Sequence, residues 1–248
     1  MNKKKAISRL NPLFLKGIAH RGLHNDIYTE NGLNAFNNAL KHHVAIELDV
    51  HLTTDNRLIV CHDENLIRTT GKEGIIEDLS VEEIKNNYRL LDGGEVPTFQ
   101  EVLDLIDEKV PIVVELKAYR KNHKPLAKQV LKELERIKDK KNIMLISFDP
   151  RALVKVRHKG YITSLLVTCN HEPDYEWIYH LRFLFDSLDL EDDMLLEKRV
   201  QRYHNRHLVN CWTIESKEQF EKDYPNCDTV TFQFIEPKYI QERLAQKQ

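Results

Sequence analysis

Apolar runs of strand length alternate with amphipathic stretches along most of this 248-residue chain. The runs that read as buried strands are 17–21, 44–50, 110–116, 143–148, 162–168, 181–188, 207–214 and 229–234. The stretches between them carry helix signals. Ser80-Val81-Glu82-Glu83 and Thr98-Phe99-Gln100-Glu101 have the form of capping boxes, and Ser216-Lys217-Glu218-Gln219 is a weaker version. Asp149-Pro150 offers an N-cap followed by proline at the first helical position. Leu126, Val130, Leu131, Leu134 and Ile137 form an apolar helical stripe, and Pro237 opens a last helix carrying Ile240 and Leu244.

Eight strand–helix alternations in a chain of this length predict a single α/β domain over residues 1–248, a (β/α)8 TIM barrel rather than an open doubly wound sheet. One segment breaks the alternation. Residues 58–62 form another strand-like run, but only seven residues separate it from Val50. A parallel crossover needs a dozen or more, so this run is a hairpin extension of the second strand, turning at Thr54-Asp55-Asn56-Arg57. Folding back antiparallel carries His62 toward the level of Glu47 and Asp49. Residues from about 64 to 96, punctuated by Gly71, Gly74, Gly93 and Gly94, then read as a small insertion containing one helix.

Three of the runs end in charge: Ile18-Ala19-His20-Arg21-Gly22, Ile46-Glu47-Leu48-Asp49-Val50 with its return Cys61-His62-Asp63, and Val113-Val114-Glu115-Leu116-Lys117. Packing alone does not explain apolar strands that finish in acid, base and cation, because unpaired buried charge is costly. Glu47 and Asp49 lie two apart on a strand, so they leave the same face about 7 Å apart, and Leu48 and Val50 face the other way. Glu115 ends the neighbouring parallel strand. Three carboxylates, with no cysteine or histidine at ligand spacing, favour a hard cation such as Mg²⁺ or Ca²⁺ over zinc. Strand-end acids paired with arginine or lysine would give the same pattern.

His20 and His62 converge on one rim and can divide base and acid duties near neutral pH. Each is equally readable as a structural strand-end histidine. Arg21 and Lys117 suit an anionic group such as phosphate, and Lys117 is also a ready counter-ion for Glu115 or Glu47. Trp212 ends the seventh run, as core packing or as an apolar wall against a small substrate. His171, Glu172 and Asp174 form a loop that borders the same rim.

A net charge of −2 leaves no basic excess to neutralise phosphates along a nucleic acid, so no nucleic-acid partner is expected. Lys3, Lys4 and Lys5 read as a solvated basic tail. No apolar run approaches the roughly 20 residues of a membrane span, so none is expected. Pro12 to Leu15 is too short for a signal-peptide core, which predicts no export and a cytoplasmic protein. Cys61, Cys169, Cys211 and Cys227 have no framework or CxxC spacing and read as reduced thiols.

The ordered set of motifs resembles the glycerophosphodiester phosphodiesterase family. His20-Arg21-Gly22, Glu30-Asn31, Ile46-Glu47-Leu48-Asp49-Val50, Val60-Cys61-His62-Asp63 and Arg68-Thr69-Thr70 carry the likeness. So do Val96-Pro97-Thr98-Phe99-Gln100-Glu101-Val102, Val114-Glu115-Leu116-Lys117, Ser147-Phe148-Asp149 and Cys211-Trp212-Thr213. The resemblance implies a divalent cation, Mg²⁺ or Ca²⁺, on Glu47, Asp49 and Glu115, and His20 and His62 as acid–base residues. It implies hydrolysis of a small-molecule glycerophosphodiester to glycerol 3-phosphate and an alcohol. Phospholipase D-type cleavage of a lysophospholipid or sphingolipid, or a non-catalytic anion-binding barrel, are the rivals; the former calls for an exposed apolar rim, and no strong one is legible. Thr29 stands where the family usually has proline, and Thr231-Phe232 where its last strand usually ends Thr-Asp.

Overall fold

The computed structural model describes residues 1–169 and 175–247. Its centre is β2 (Ala45–Leu52), whose alternate side chains face opposite layers. Ile46, Leu48 and Val50 enter the large core between sheet and helices, while Glu47 and Asp49 point inside the barrel. The other parallel strands are β1 (Ile18–Ala19), β4 (Ile112–Leu116), β5 (Ile143–Ser147), β6 (Ile162–Val167), β7 (Ser187–Glu191), β8 (Leu208–Ile214) and β9 (Thr229–Phe232). They run in the order β1-β9-β8-β7-β6-β5-β4-β2, and β1 pairs with β2 to close the ring. The predicted TIM barrel is therefore present.

The hairpin is present as well. β3 (Leu58–Val60) pairs antiparallel with β2, Val50 opposite Val60 and Leu52 opposite Leu58, beyond the barrel proper. Asn56 takes a left-handed backbone, φ 57°, to turn the chain. After β3 come α3 (Ile67–Thr70) and α4 (Val81–Asn87), and Val81 and Ile84 of α4 pack with Ile59, Cys61, Leu66, Ile76 and Tyr88 in a separate apolar cluster. This cluster sits over the hairpin, so the segment has its own small core.

Helices α1 (Lys3–Ile7), α2 (Leu33–Lys41), α5 (Phe99–Ile106), α6 (His123–Glu133), α7 (Pro150–Val156), α8 (Tyr175–His180), α9 (Lys198–His204), α10 (Lys217–Asp223) and α11 (Pro237–Ala245) complete the chain. Both capping boxes form with reciprocal bonds, Ser80 with Glu83 and Thr98 with Glu101. Asp149 caps α7 and Ser216 caps α10. The apolar stripe of α6 runs out at Glu133; Leu134 lies in a 3-10 turn and Ile137 beyond it.

Three expectations are corrected. Segment 64–96 holds two α-helices, α3 and α4, where one was expected, because Ile67–Thr70 closes a short helical turn ended by Gly71 in the left-handed region. The basic start is not a solvated tail. Lys3 to Ile7 is helical, Lys3 pairs with Asp228 at 3.0 Å, and Ala6, Leu10 and Phe14 pack on Ile18, Ala45, Val113, Ile162 and Leu208. The N-terminus thus plugs the bottom of the barrel. The sixth run is also displaced, because Leu181–Leu184 is a 3-10 turn and the strand is Ser187–Glu191. Its inward positions, Ser187 and Asp189, are polar and only Leu188 and Leu190 face the core, so half the strand resembles a loop.

Candidate active site

Gly22 has φ +79°, and a Cβ there would meet the Ala35 backbone at 2.9 Å, so only glycine lets the β1 end pack on α2. That turn presents His20 and Arg21 at the C-terminal mouth. In register, Asp49 stands opposite Glu115 on β4. Glu47, Asp49 and Glu115 are all buried, and one carboxylate oxygen from each lies within 4.8 Å of the others.

Asp49 is the hub. It accepts from Asn31 Nδ2 at 2.8 Å, Lys117 Nζ lies at 3.1 Å, and Arg21 Nε at 3.6 Å. Burial pushes its pKa up, yet Lys117 and Arg21 outweigh burial and hold it well below the usual carboxylate range. Glu47 goes the other way: burial, then the charges of Asp49 and Glu115, raise it well above its ordinary value. Burial also pushes Glu115 up to about 7, although Lys117 at 2.8 Å opposes it. Burial, reinforced by the repulsion of neighbouring carboxylates, thus favours the protonated forms of Glu47 and Glu115. A hard divalent cation fits this all-oxygen set and would hold all three ionised.

The histidines are wired differently. His20 Nδ1 lies 2.7 Å from Gln233 Oε1, and the Gln233 amide nitrogen donates to Glu215 at 2.6 Å. Glu215 therefore sets the amide so that its oxygen faces His20, which makes Nδ1 the protonated nitrogen and leaves Nε2 a free base. Burial, with the Arg21 charge adding, pushes His20 down to about 3. His62 Nδ1 instead meets a carboxylate, Asp63, at 2.6 Å. Burial lowers His62, and Asp49 and Asp63 work against that by favouring the imidazolium.

All eight predicted site residues, His20, His62, Arg21, Lys117, Trp212, Glu47, Asp49 and Glu115, lie at this mouth. Trp212 sits where the β8–β9 register is irregular, between Cys211 and Ile214, and packs edge-on against Phe148 at 5.6 Å. Phe232, where an acid was expected, turns away into the helix layer beside Gly17 and Ile240. The next residue, Gln233, reaches His20. The loop with His171, Glu172 and Asp174 lies outside the described residues.

Sequence reasoning missed the supporting residues. Glu30 bridges Arg21 at 2.8 Å and Arg68 at 2.6 Å, and Arg68 also grips Asp63 at 2.6 Å. Glu30, Asp63 and Arg68 stood inside recognised motifs, the only signal for them. His51 and Gln233 gave none. His51 bonds Glu77 at 2.7 Å and the His62 carbonyl at 3.1 Å. Beside the acids a groove of about 720 Å³ runs along the ends of β4, β5 and β6, past Tyr119, Phe148 and Trp177.

Fold and site together define a barrel enzyme with clustered acids and two histidines at its working face. Residues 20–231 match the glycerophosphoryl diester phosphodiesterase family, and the chain belongs to that family of phosphoric diester hydrolases. It is 34% identical over 217 residues to a glycerophosphodiester phosphodiesterase of Caldanaerobacter subterraneus subsp. tengcongensis, covering 83% of this chain and 88% of that one. One from Bacillus altitudinis is 32% identical over 171 residues, covering 64% and 69%. Among solved structures, an Oleispira antarctica phosphodiesterase in complex with the product sn-glycerol-3-phosphate superposes with a TM-score of 0.79 at 22% identity, covering 98% and 99%. The Thermotoga maritima glycerophosphodiester phosphodiesterase gives a TM-score of 0.71 at 23%, covering 92% and 96%. These two share the fold. No helix among the described residues is long and apolar enough to cross a membrane.

Proposed function

We propose that this chain, acting as one barrel unit with residues 64–96 inserted, hydrolyses glycerophosphodiesters to glycerol 3-phosphate and an alcohol in the cytoplasm. The observation that carries this is the buried triad of carboxylates within 4.8 Å, flanked by two histidines with opposite wiring. Glu47, Asp49 and Glu115 would hold Mg²⁺ or Ca²⁺, which when bound neutralises charge on the phosphoryl oxygens.

The protein's own groups supply the proton transfers. His20, neutral with Nε2 free, removes a proton from the nucleophile. His62, whose imidazolium form Asp63 favours, protonates the departing alkoxide. Arg21, fixed by Glu30, and Lys117 add positive charge at the phosphate. Trp212 with Phe148 forms the apolar wall.

A second substrate class has one observation in its favour. Phe148, Trp177, Phe234, Ile27 and Leu91 are exposed on segments following strand ends, an apolar rim that the sequence did not reveal. Lysophospholipid or sphingolipid cleavage in the same site would use it. Turnover of glycerophosphocholine, glycerophosphoethanolamine, glycerophosphoglycerol and lysophosphatidylcholine, each with Mg²⁺, Ca²⁺ or excess chelator, separates these readings. The first three are expected to be cleaved and chelation to abolish the activity. Undiminished turnover in chelator, or none on any diester, overturns the proposal.

A further inference from the structure

Below the acids and the Trp212 wall, a second cavity of about 70 Å³ descends into the barrel, bordered by Asp189, Asn210 and Thr231. Its floor is polar where barrel interiors are ordinarily filled by branched apolar side chains. Asp189, on β7, is 1% exposed, and neither carboxylate oxygen is met in good hydrogen-bond geometry; the Asn210 amide and the Ser164 hydroxyl, itself unpartnered, stand beside it and oppose the effect of burial. Among the described residues no lysine, arginine or histidine pairs with it. Asn210 donates to Thr231 at 2.9 Å but its Oδ1 is unpartnered, as is the buried indole Nε1 of Trp212. Buried polar groups left in this state cost stability, and in native proteins such groups are otherwise nearly always satisfied.

The inventory defines what would answer it. Three oxygens, two on Asp189 and one on Asn210, call for donors, the Trp212 N–H calls for an acceptor, and the Ser164 hydroxyl beside Asp189 can do either. A phosphate is repelled by Asp189. A quaternary ammonium or an acyl chain has no donor. A primary ammonium answers the carboxylate but offers nothing to the Trp212 N–H. Neighbouring hydroxyls both donate and accept, so a vicinal diol matches. The cavity also borders His20, Arg21, Glu47 and Glu115, so a diol placed there is joined directly to a phosphate at the acids.

We infer that Asp189, with Asn210 and Trp212, forms a polyol subsite that takes the glycerol end of the substrate downward and directs the departing alcohol into the lateral groove. Asp189 is then a specificity-determining residue for the reaction proposed above. A site built to bond hydroxyls rejects the analogue that lacks them, because its own groups stay unpaired.

The test compares sn-glycero-3-phosphocholine with propyl phosphocholine in the wild type and in Asp189→Asn, with circular dichroism to verify the fold. The wild type is expected to favour the glyceryl compound in kcat/KM by roughly 10²-fold or more, and Asp189→Asn to cut that ratio at least tenfold, whatever the absolute rates. A variant that keeps the wild-type ratio overturns the assignment. Calorimetry of sn-glycerol 3-phosphate against propyl phosphate, with Mg²⁺ present, separates this inference from the catalytic one. Preference for glycerol 3-phosphate without turnover of either diester leaves the subsite standing and removes the proposed reaction. Equal handling of glyceryl and propyl compounds by the wild type removes the subsite alone, and needs no variant to fold.

Discussion

At the scale of single residues, the two histidines differ because their partners differ. His20 faces an amide oxygen whose orientation Glu215 dictates, and His62 faces the Asp63 carboxylate. His20→Ala and His62→Ala are each expected to lower kcat by roughly 10²–10⁴-fold with little loss of stability. A substrate with an activated leaving group needs no protonation, so it should restore His62→Ala far more than His20→Ala. The reverse pattern would exchange the two roles. Asp189 makes a prediction of another kind. Its folded pKa is pushed up to about 6 from an ordinary 3.8, chiefly by burial. Ionising it in the fold is therefore unfavourable above about pH 6 and makes no difference below about pH 4. Asp189→Asn should gain stability at pH 8, on the order of 3 kcal/mol at most, and lose that gain on acidification toward pH 4. Denaturant melts at the two pH values decide it; such a gain is usual where function has kept a destabilising group.

At the scale of elements, the β2–β3 hairpin brings His62 back beside the strand that carries Glu47 and Asp49. The Cys61 amide donates to the Asp49 carbonyl at 3.2 Å, so the return strand is tied in at the level of the acids. Behind it, His51 is buried on β2, stacked on Tyr119 at 5.3 Å, and bonded through one ring nitrogen to Glu77 of the insertion. Its other nitrogen bonds the His62 carbonyl. Segment 64–96 thus helps to hold His62, the proposed general acid, in place through one side chain. Glu77→Ala removes the partner of the buried His51 Nδ1, so it should cost about 1–3 kcal/mol. It should also depress kcat more than KM, since His62 is displaced while the phosphate contacts remain. Steady-state kinetics on the folded variant reads this; an unchanged kcat would leave the contact merely structural.

At the scale of the whole molecule, ring closure between β1 and β2 forces the charged ends of β1, β2 and β4 into one mouth, and the N-terminal plug closes the far side. The helix–sheet core is continuous and independent of the acid cluster. Chelation should therefore stop activity while circular dichroism keeps its native form. The cluster itself makes cation binding depend on pH. Burial and the neighbouring carboxylates push Glu47 well above its ordinary value and burial pushes Glu115 to about 7, so protons compete with a divalent cation for these oxygens as pH falls. Binding should weaken as pH falls below about 7, and the rise in Tm on adding Mg²⁺ should be larger at pH 8 than at pH 5.5. A pH-independent shift would mean that these carboxylates are not the ligands.

How much of this was legible beforehand follows from the range of each interaction. Strand and helix alternation, the capping boxes and the hairpin are set by periodicity and turn chemistry within a few residues, so the barrel could be read from the chain. The motifs likewise located His20, Glu47, Asp49, His62 and Glu115, because their strand ends are local signals. Gln233 against His20, Glu30 between Arg21 and Arg68, and His51 against Glu77 join positions 213, 38 and 26 residues apart, and nothing in the local pattern announces such pairings. Three lysines make the N-terminal plug look solvated in sequence, because they mask Ala6, Leu10 and Phe14 behind them. Asp189 was hidden for the same reason that makes it informative. A strand with polar inward positions looks like a loop in sequence, and only barrel closure turns those positions toward a common interior where an unpaired carboxylate acquires a meaning.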